Sequence, residues 1–562
     1  DGDFSSSGYT IYDPATLHAD PQKPGSTVRD PFPGNVIPQS RISAAGSGLV
    51  NYYPNPNFVS PNANIRTNYL TQLRARDTSN LYNIKGDVVV NDLSSVAAHY
   101  SHQQRIQSTD GWLPDGRISS STSLNGDNAG LNYTRVLNPN VVTEVRASYN
   151  RTDMPVVLEN HENVLDPYNI PGWNTNVFGR GFPTISLTNI SGAAPTRQGP
   201  FGPPFRLAEN TYQLLDTTSW QWGNHSIKFG GGVDNQRLSR YQARSGGGSL
   251  TFNGTYTTAT PGAAVSVPRT GVPDMLLGLS SNLLTQYGFD AIRIYNYRVN
   301  GFIQDDWHVT HNLTLNLGLR YDFFRPYHEE QDRIANFDLA TGIRLVPESA
   351  RKVVQNTLGL PNGDLPPGWA YAPLDKVIPH ANWRDFSPRL GVAYAVNKNL
   401  VLRGGWGIYY SLTSSNSFNN SGTEGNPFFF DFTVQGDAST PVKLTDGFTS
   451  GGIWNVLASP SFGAYYGPLD RGTPYAQKYS ATIEWSPLKN TAVSAGYVGQ
   501  TTFNFPTLAS GNQAQVPAAT PVISRQPYPN VGFFWMYLTA ADSNYNAMTI
   551  SVKQRYTHGF SL

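Results

Sequence analysis

The chain has 562 residues, of which only 14% are charged, alongside 53 glycines, 41 prolines, 31 tyrosines, 27 phenylalanines and 11 tryptophans. That mixture favours strands and turns over helices, and a formal net charge of +1 with no polybasic run excludes a broad field for nucleic acid or anionic lipid. Cysteine is absent, which removes disulfides and thiolate metal sites; mean hydropathy is -0.38, and no uninterrupted apolar run reaches the roughly 18 residues a membrane helix needs.

Period-two alternation dominates the chain, and it comes in pairs of runs joined by short links. "LYNIKGDVVV" leads through "ND" to "LSSVAAHYSH", with Tyr82, Ile84, Gly86, Val88 and Val90 on one face. "GLNYTRV", "LNPN" and "VVTEVRASYN" follow, where Val141, Thr143, Val145, Ala147 and Tyr149 oppose Val142, Glu144, Arg146, Ser148 and Asn150. Next is "TYQLLDTTSWQW", "GNH", "SIKFGGGVDNQ", setting Ile227 and Phe229 against Lys228 and Gly230.

The clearest strand completes the hairpin "IYNYRVNGFIQDDW", "HVTHN", "LTLNLGLRYDF". Leu313, Leu315, Leu317, Leu319, Tyr321 and Phe323 alternate with Thr314, Asn316, Gly318, Arg320 and Asp322. "PRLGVAYA", "VNKN", "LVLRGGWGIYY" gives an apolar row from Leu400 and Leu402 to Tyr410. "QKYSATIEW", "SPLKN", "TAVSAGYVGQ" and finally "YNAMTISVKQRY" complete roughly 14 to 16 strands by these rules.

Between pairs the chain wanders, over 152 to 208, 326 to 383 and 412 to 472, through Pro-, Gly-, Asn- and Ser-rich segments such as "GAAPTRQGPFGPPF" and "SLTSSNSFNNSGTEGNPFFF". Loops of that length argue against a compact soluble domain. They fit a transmembrane antiparallel up-and-down β-barrel, an all-β fold with short periplasmic turns and long, irregular extracellular loops. Trp222, Trp307 and Trp485 each sit at a short turn, and Tyr295, Tyr297, Tyr149 and Tyr410 mark the opposite ends, as two interfacial girdles require. The expected lipid-facing residues are Leu313, Leu315, Leu317, Leu319, Leu400, Leu402, Ile227 and Phe229. The lumen-facing candidates are Arg146, Glu144, Lys228, Arg320, Asp322, Arg403 and Glu484, which keep an interior hydrated or touch a plug or solute.

No active site emerges, and no enzymatic activity, cofactor or metal is expected. His308 and His311 form an HxxH in a turn, with no acidic third ligand at a metal-like spacing. "YHEE" at Tyr327 to Glu330 and "ENHEN" at Glu159 to Asn163 read as solvated loop polarity rather than divalent-ion sites. "FGGGV" at Phe229 to Val233 continues inside a strand instead of opening a helix, so a close-packed wall replaces a phosphate loop. "SGGGS" at Ser245 to Ser249 lacks the strand-turn-helix frame of a nucleophile elbow.

The ordered series "GDFS", "IYDPAT", "PFPGNVIPQSRI", "SWQWGNHSIKFGG", "FIQDDWHVTHNLTLNLGLRYDF", "FSPRLGVAYAV", "LVLRGGWGIYY", "PYAQKYSATIEW" and "SNYNAMTISVKQR" resembles the barrel of Oar-like TonB-dependent receptors over nearly the whole chain. The resemblance implies a Gram-negative outer-membrane receptor with a carboxypeptidase-regulatory-like domain, a plug and a barrel of about 22 strands. It divides the chain into a loop segment over 1–78, leading into the barrel region, and a barrel fragment over 79–562. The plug, the leader domain and the closing strands, with any secretion signal, are expected outside these residues. The partners expected are outer-membrane lipid, the plug and TonB in the full-length protein, and an unknown solute or protein ligand at the extracellular loops. The function expected is energised uptake or surface handling of a solute; a surface adhesin or secretion-related barrel is the alternative, and a soluble glycan-binding propeller or sandwich a third.

Overall fold

In a computed structural model, thirteen long strands follow one another in a single antiparallel meander. The structure describes residues 2–59, 68–111, 119–158, 166–173, 182–190, 205–242, 247–288, 291–358, 363–412, 428–448, 464–532 and 534–555. "ENHEN", the start of "SGGGS", most of the Pro- and Ser-rich segments quoted above and the final residues lie outside them.

The wall strands are β1 (Ala75–Asn91), β2 (Ser94–Thr109), β3 (Ser120–Asn138), β4 (Val141–Leu158), β5 (Phe205–Trp222), β6 (His225–Gln242), β7 (Ile292–Thr310), β8 (Leu313–Phe324), β9 (Phe386–Asn397), β10 (Leu400–Tyr410), β11 (Tyr475–Leu488), β12 (Thr491–Gly511) and β13 (Phe534–Gln554). Each pairs with the next in sequence. Ala464–Tyr466 adds in parallel to β13 and His328–Glu329 pairs with β7, giving a fifteen-stranded sheet. Among the described residues β1 and β13 do not pair with each other.

Six hairpins turn through two residues each, 92–93, 139–140, 223–224, 311–312, 398–399 and 489–490; the first is shifted by one residue from the "ND" link read in the sequence, and the other five are tighter than the links read there. The local cause is a side chain that replaces a backbone acceptor. Asn91, Asn138 and Asn397 each accept a hydrogen bond from the backbone N–H two residues on, at 3.0, 2.9 and 2.8 Å, and the Thr310 hydroxyl accepts from Asn312 at 3.2 Å. Register shifts sit at those same corners, between 89 and 91, 136 and 138, 308 and 310, and 395 and 397. Asn and Thr near the corners, which look like turn residues in the sequence, are therefore strand ends.

The glycine run is packed against neighbouring strands on both sides. A Cβ on Gly230 would fall 2.1 Å from the Asp216 carbonyl oxygen, and one on Gly231 2.8 Å from that of Asn300.

At the other end of the wall, the long connections depart from expectation. They are not irregular throughout: segments from four of them join residues 2–53 in a folded cap with its own core. Thr184–Leu187, Ser249–Phe252, Asn282–Gly288 and Phe429–Gln435 form one small sheet. Asn336–Asp338, Ile343–Pro347 and Trp369–Ala372 form another. Leu49, Ile185, Leu250, Phe252, Leu283 and Phe428 are buried together. Helix α1 (Ala44–Val50) begins at Ser43, whose hydroxyl accepts from Gly46 N–H at 3.4 Å. It lies against α2 (Val272–Leu276), with Ile11, Phe32, Ile37 and Leu276 in a second cluster. The cap also seats on the wall, where Leu238, Ile292 and Ile294 pack against Tyr327, Ile334 and Val377.

"YHEE" needs correction accordingly. Tyr327 and Glu329 are buried, and Glu329 takes two bonds from the Arg333 guanidinium, at 3.0 and 2.6 Å. The charge is neutralised inside the cap rather than solvated. His308 Nδ1 stands 3.0 Å from the Thr314 hydroxyl, and no group of three metal-ligating side chains occurs among the described residues.

Candidate functional site: a two-faced wall and a groove on its polar side

Cross-strand register fixes which side chains share a face, because directly paired residues point the same way. The row Phe229, Ile303, Leu319 runs along one face, and Ile227, Asp305, Leu317, Leu390 and Trp406 run along the row beside it. Leu313, Leu315, Leu400 and Leu402 fall on the same face. It is apolar and open: Leu319 is 47% exposed, Ile303 54%, Leu390 53% and Ile483 50%. Leu131, Leu214, Val233, Val299, Met548 and Ile550 continue it across the sheet. A contiguous surface of that size needs an apolar medium or partner.

Aromatic residues bound this face at both ends. At the turn end Trp220, Trp222, His225 and Trp307 stack in a file with successive ring separations of 5.6, 5.6 and 5.3 Å. Asp305 lies in the file, 2.6 Å from His225 Nδ1, and Trp485 opposes Leu400 by the next short turn but one. At the loop end Tyr149 and Tyr212 are 5.1 Å apart, Tyr295 and Tyr297 6.0 Å, and Tyr410 and Tyr475 5.5 Å.

The opposite face is polar. Six of the sequence candidates lie on it and resolve into three ion pairs: Arg146 with Glu144 at 2.7 Å, Arg320 with Asp322 at 2.7 Å, and Arg403 with Glu484 at 3.4 Å. Lys228 shares this face with Gln304 and Ser219. Where β8 meets the cap, Asp322 N–H donates to the Asp385 carbonyl at 3.1 Å. The Asp385 carboxylate accepts from Asn382 at 2.6 Å and from Thr473 at 2.7 Å. Burial, helped by the nearby Asp322 charge, pushes Asp385 up to about 6 against the pull of those two bonds.

A groove of about 490 Å³ opens across β7 to β13 on this side. Its polar centre is Tyr409, with the Arg389 guanidinium 4.7 Å and the Lys478 ammonium 5.3 Å from the ring centroid. Gly407 makes room for it: a Cβ there would lie 3.2 Å from Arg389 Cγ and 3.3 Å from the Tyr409 ring. Arg389 Nε is buried without a hydrogen-bond partner, and neither cation meets a carboxylate among the described residues. Two cations on one aromatic ring in an open groove can hold an anionic or π-rich group.

A long meander with an exposed apolar face, a charged opposite face and two-residue turns at one end is the architecture of a membrane barrel wall. The outer membrane beta-barrel domain family matches residues 1–562. The chain belongs to this family. Its place is the outer membrane.

Among solved structures, this outer membrane β-barrel domain is similar to the outer membrane transporter YddB from Escherichia coli, at 12% identity over 85% of this chain and 52% of that one, with a TM-score of 0.40. The siderophore receptor PirA from Acinetobacter baumannii gives 10% identity, 86% and 51% coverage and a TM-score of 0.41. The copper transporter OprC gives 10%, 86%, 51% and 0.42. The chain thus spans about half the length of these structures. No curated protein sequence matches it.

Sequence reasoning about this barrel domain missed the groove. Its parity was available, since Arg389 and Gly391 alternate with Leu390 and Val392. What the sequence did not supply was the pairing that puts Gly407 opposite both Arg389 and Lys478.

Proposed function

We propose that this chain is part of the wall and the outer vestibule of an Oar-like TonB-dependent receptor, a non-enzymatic transporter that takes up a solute through its lumen. The opposition of the two faces of the wall carries this reading. Leu313, Leu315, Leu317, Leu319, Leu400, Leu402, Ile227 and Phe229 meet lipid, with Trp222, Trp307 and Trp485 at the periplasmic interface and Tyr295, Tyr297 and Tyr410 at the outer one. The ion-paired face lines a wet interior. The leading segment then ends where β1 begins, at Ala75 rather than at 78, the thirteen strands between Ala75 and Gln554 form the wall, and the cap, built from 2–53 and the long connections, receives ligand above.

The Arg389, Tyr409 and Lys478 groove lies on the interior face and contacts either a passing solute or a plug. Energy reaches the lumen through that plug and TonB in the full-length protein. The resemblance noted in the sequence, family membership and the polar interior together support this assignment.

The test is deletion of the full-length gene, followed by untargeted comparison of solutes depleted from the medium. Loss of one solute class, reproduced by a protonophore in the parent strain and restored by the full-length gene, is expected. Unchanged uptake with altered surface attachment or protein export would transfer the assignment to the adhesive or secretory alternative.

A further inference from the structure

The outward face carries charge at its loop end that no carboxylate among the described residues neutralises. Register places Asp127, Arg151, Asn210, Arg237 and Tyr295 along one row. Tyr149, Tyr212, Asn235 and Tyr297 form the row beside it, which Arg325 continues by donating its backbone N–H to Tyr297 O at 2.9 Å.

Most charges here are matched. Arg151 contacts Asp153 at 3.3 Å, Asp153 takes two bonds from Arg206 at 2.9 and 2.8 Å, and Asp127 accepts from Tyr100 and His102 at 2.7 and 2.8 Å. Arg293 reaches Glu330 at 3.4 Å, and His328 reaches Asp332 at 3.0 Å.

Arg237 and Arg325 are different. Among the described residues the Arg237 side chain donates from Nε alone, to Asn235 at 2.9 Å. The Arg325 guanidinium lies over Tyr295 and Tyr297, 5.6 and 5.3 Å from their centroids. Among the described residues neither meets a carboxylate. Tyr295, directly across the sheet from Arg237, therefore separates two unneutralised guanidinium groups.

Their height on the wall identifies what they face. Trp307 to Tyr297 and Trp222 to Tyr212 are each ten positions along one strand. At about 3.3 Å per residue and a tilt near 40°, that is roughly 25 Å along the membrane normal, the thickness of the apolar band of such barrels. Tyr212 and Tyr297 thus stand at the outer boundary, and Arg237 and Arg325 beside headgroups rather than tails. Guanidinium forks match phosphate oxygens in geometry and charge.

We propose that Arg237 and Arg325, with Tyr295 between them, bind a phosphate of a phosphorylated glycolipid headgroup in the outer leaflet. The sugar rings next to that phosphate would pack on the tyrosine faces. This goes beyond the transport reading and needs only that the outward face meets lipid, which the Leu317 experiment below tests separately.

Full-length protein purified in detergent should retain added lipopolysaccharide by native mass spectrometry. Arg237→Gln with Arg325→Gln should lower retention at least tenfold, and the paired lysine replacements, which keep both charges, should preserve most of it. Arg146→Gln, on the other face, and lipopolysaccharide stripped of its lipid A phosphates serve as controls: the first should bind normally and the second weakly. Heat-modifiable gel mobility reports folding, and should the double variant not fold, each single glutamine variant should show a partial loss. Retention unchanged by the glutamine replacements, or equal for the stripped lipid, would overturn the proposal. Displacement of the lipid by inorganic phosphate at equal concentration would overturn the headgroup assignment in favour of a free anion.

Discussion

The α-carbon of Gly46 in α1 approaches α2 so closely that a Cβ would stand 1.9 Å from the Met275 carbonyl oxygen. Helix propensity alone favours alanine over glycine by about 1 kcal/mol. The contact opposes it, because the Met275 oxygen is backbone and cannot swing aside, and overpacking of this kind costs about 1–3 kcal/mol or more. Gly46→Ala should therefore destabilise the cap while leaving the wall intact. Limited proteolysis should cut residues 2–53 faster in the variant with no change in heat-modifiable mobility; a slower cut would mean that the two helices do not pack as described.

Leu317 and Ser494 lie on opposite faces, Leu317 paired with Leu390 and Ser494 with Glu484. Asn316 makes a poorer comparison than its place in the sequence implies, since its amide donates to Asp306 at 2.6 Å and its Cβ lies 3.1 Å from where a Gly391 Cβ would be. Leu317→Arg should cost about 2–4 kcal/mol near the bilayer midplane. Ser494→Arg, placed beside Glu484, should change stability by no more than about 0.5 kcal/mol. Unfolding of the full-length protein from lipid vesicles in guanidinium measures both, and equal losses would refute lipid contact at Leu317.

Sidedness follows from the contrast between tight turns and the cap. A protease site inserted after Ala438, in an exposed stretch of the cap, should be cut in intact cells. A site between Lys398 and Asn399, in a two-residue turn, should be cut only after the outer membrane is permeabilised. Cleavage at 398 from outside would invert the topology.

The wall was legible because its information is local. Leu313 to Phe323 declare a face in eleven residues, and each hairpin partner lies next in the chain. Turn length was misjudged at Asn138 and Asn397, and turn position by one residue at Asn91, because these side chains stand in place of backbone acceptors, a geometry that composition does not reveal. The cap was illegible for the opposite reason. Its core gathers Leu49, Ile185, Leu250 and Phe432 from segments far apart in the chain, so no period links them. Arg237, Tyr295 and Arg325 likewise become neighbours only through the register of β6, β7 and β8.

Asp385 offers a pH test of the junction between wall and cap. Its pKa in the folded protein, about 6, lies above the ordinary value of 3.8, mainly because of burial. A carboxyl raised in this way favours the folded junction most below pH 3.8, and that contribution is lost as pH rises through 6. The segment joining Asn382, Asp385 and Thr473 should therefore open more readily at pH 7 than at pH 5. Hydrogen exchange of peptides spanning 380–388 and 470–476, corrected for intrinsic rates, should show the difference. Asp385→Asn cannot ionise and should flatten it, although Asn382 and Thr473 must then reorient their donors. Exchange in the parent protein that slows between pH 5 and 7, or a pH response that survives Asp385→Asn, would show that another group governs this junction.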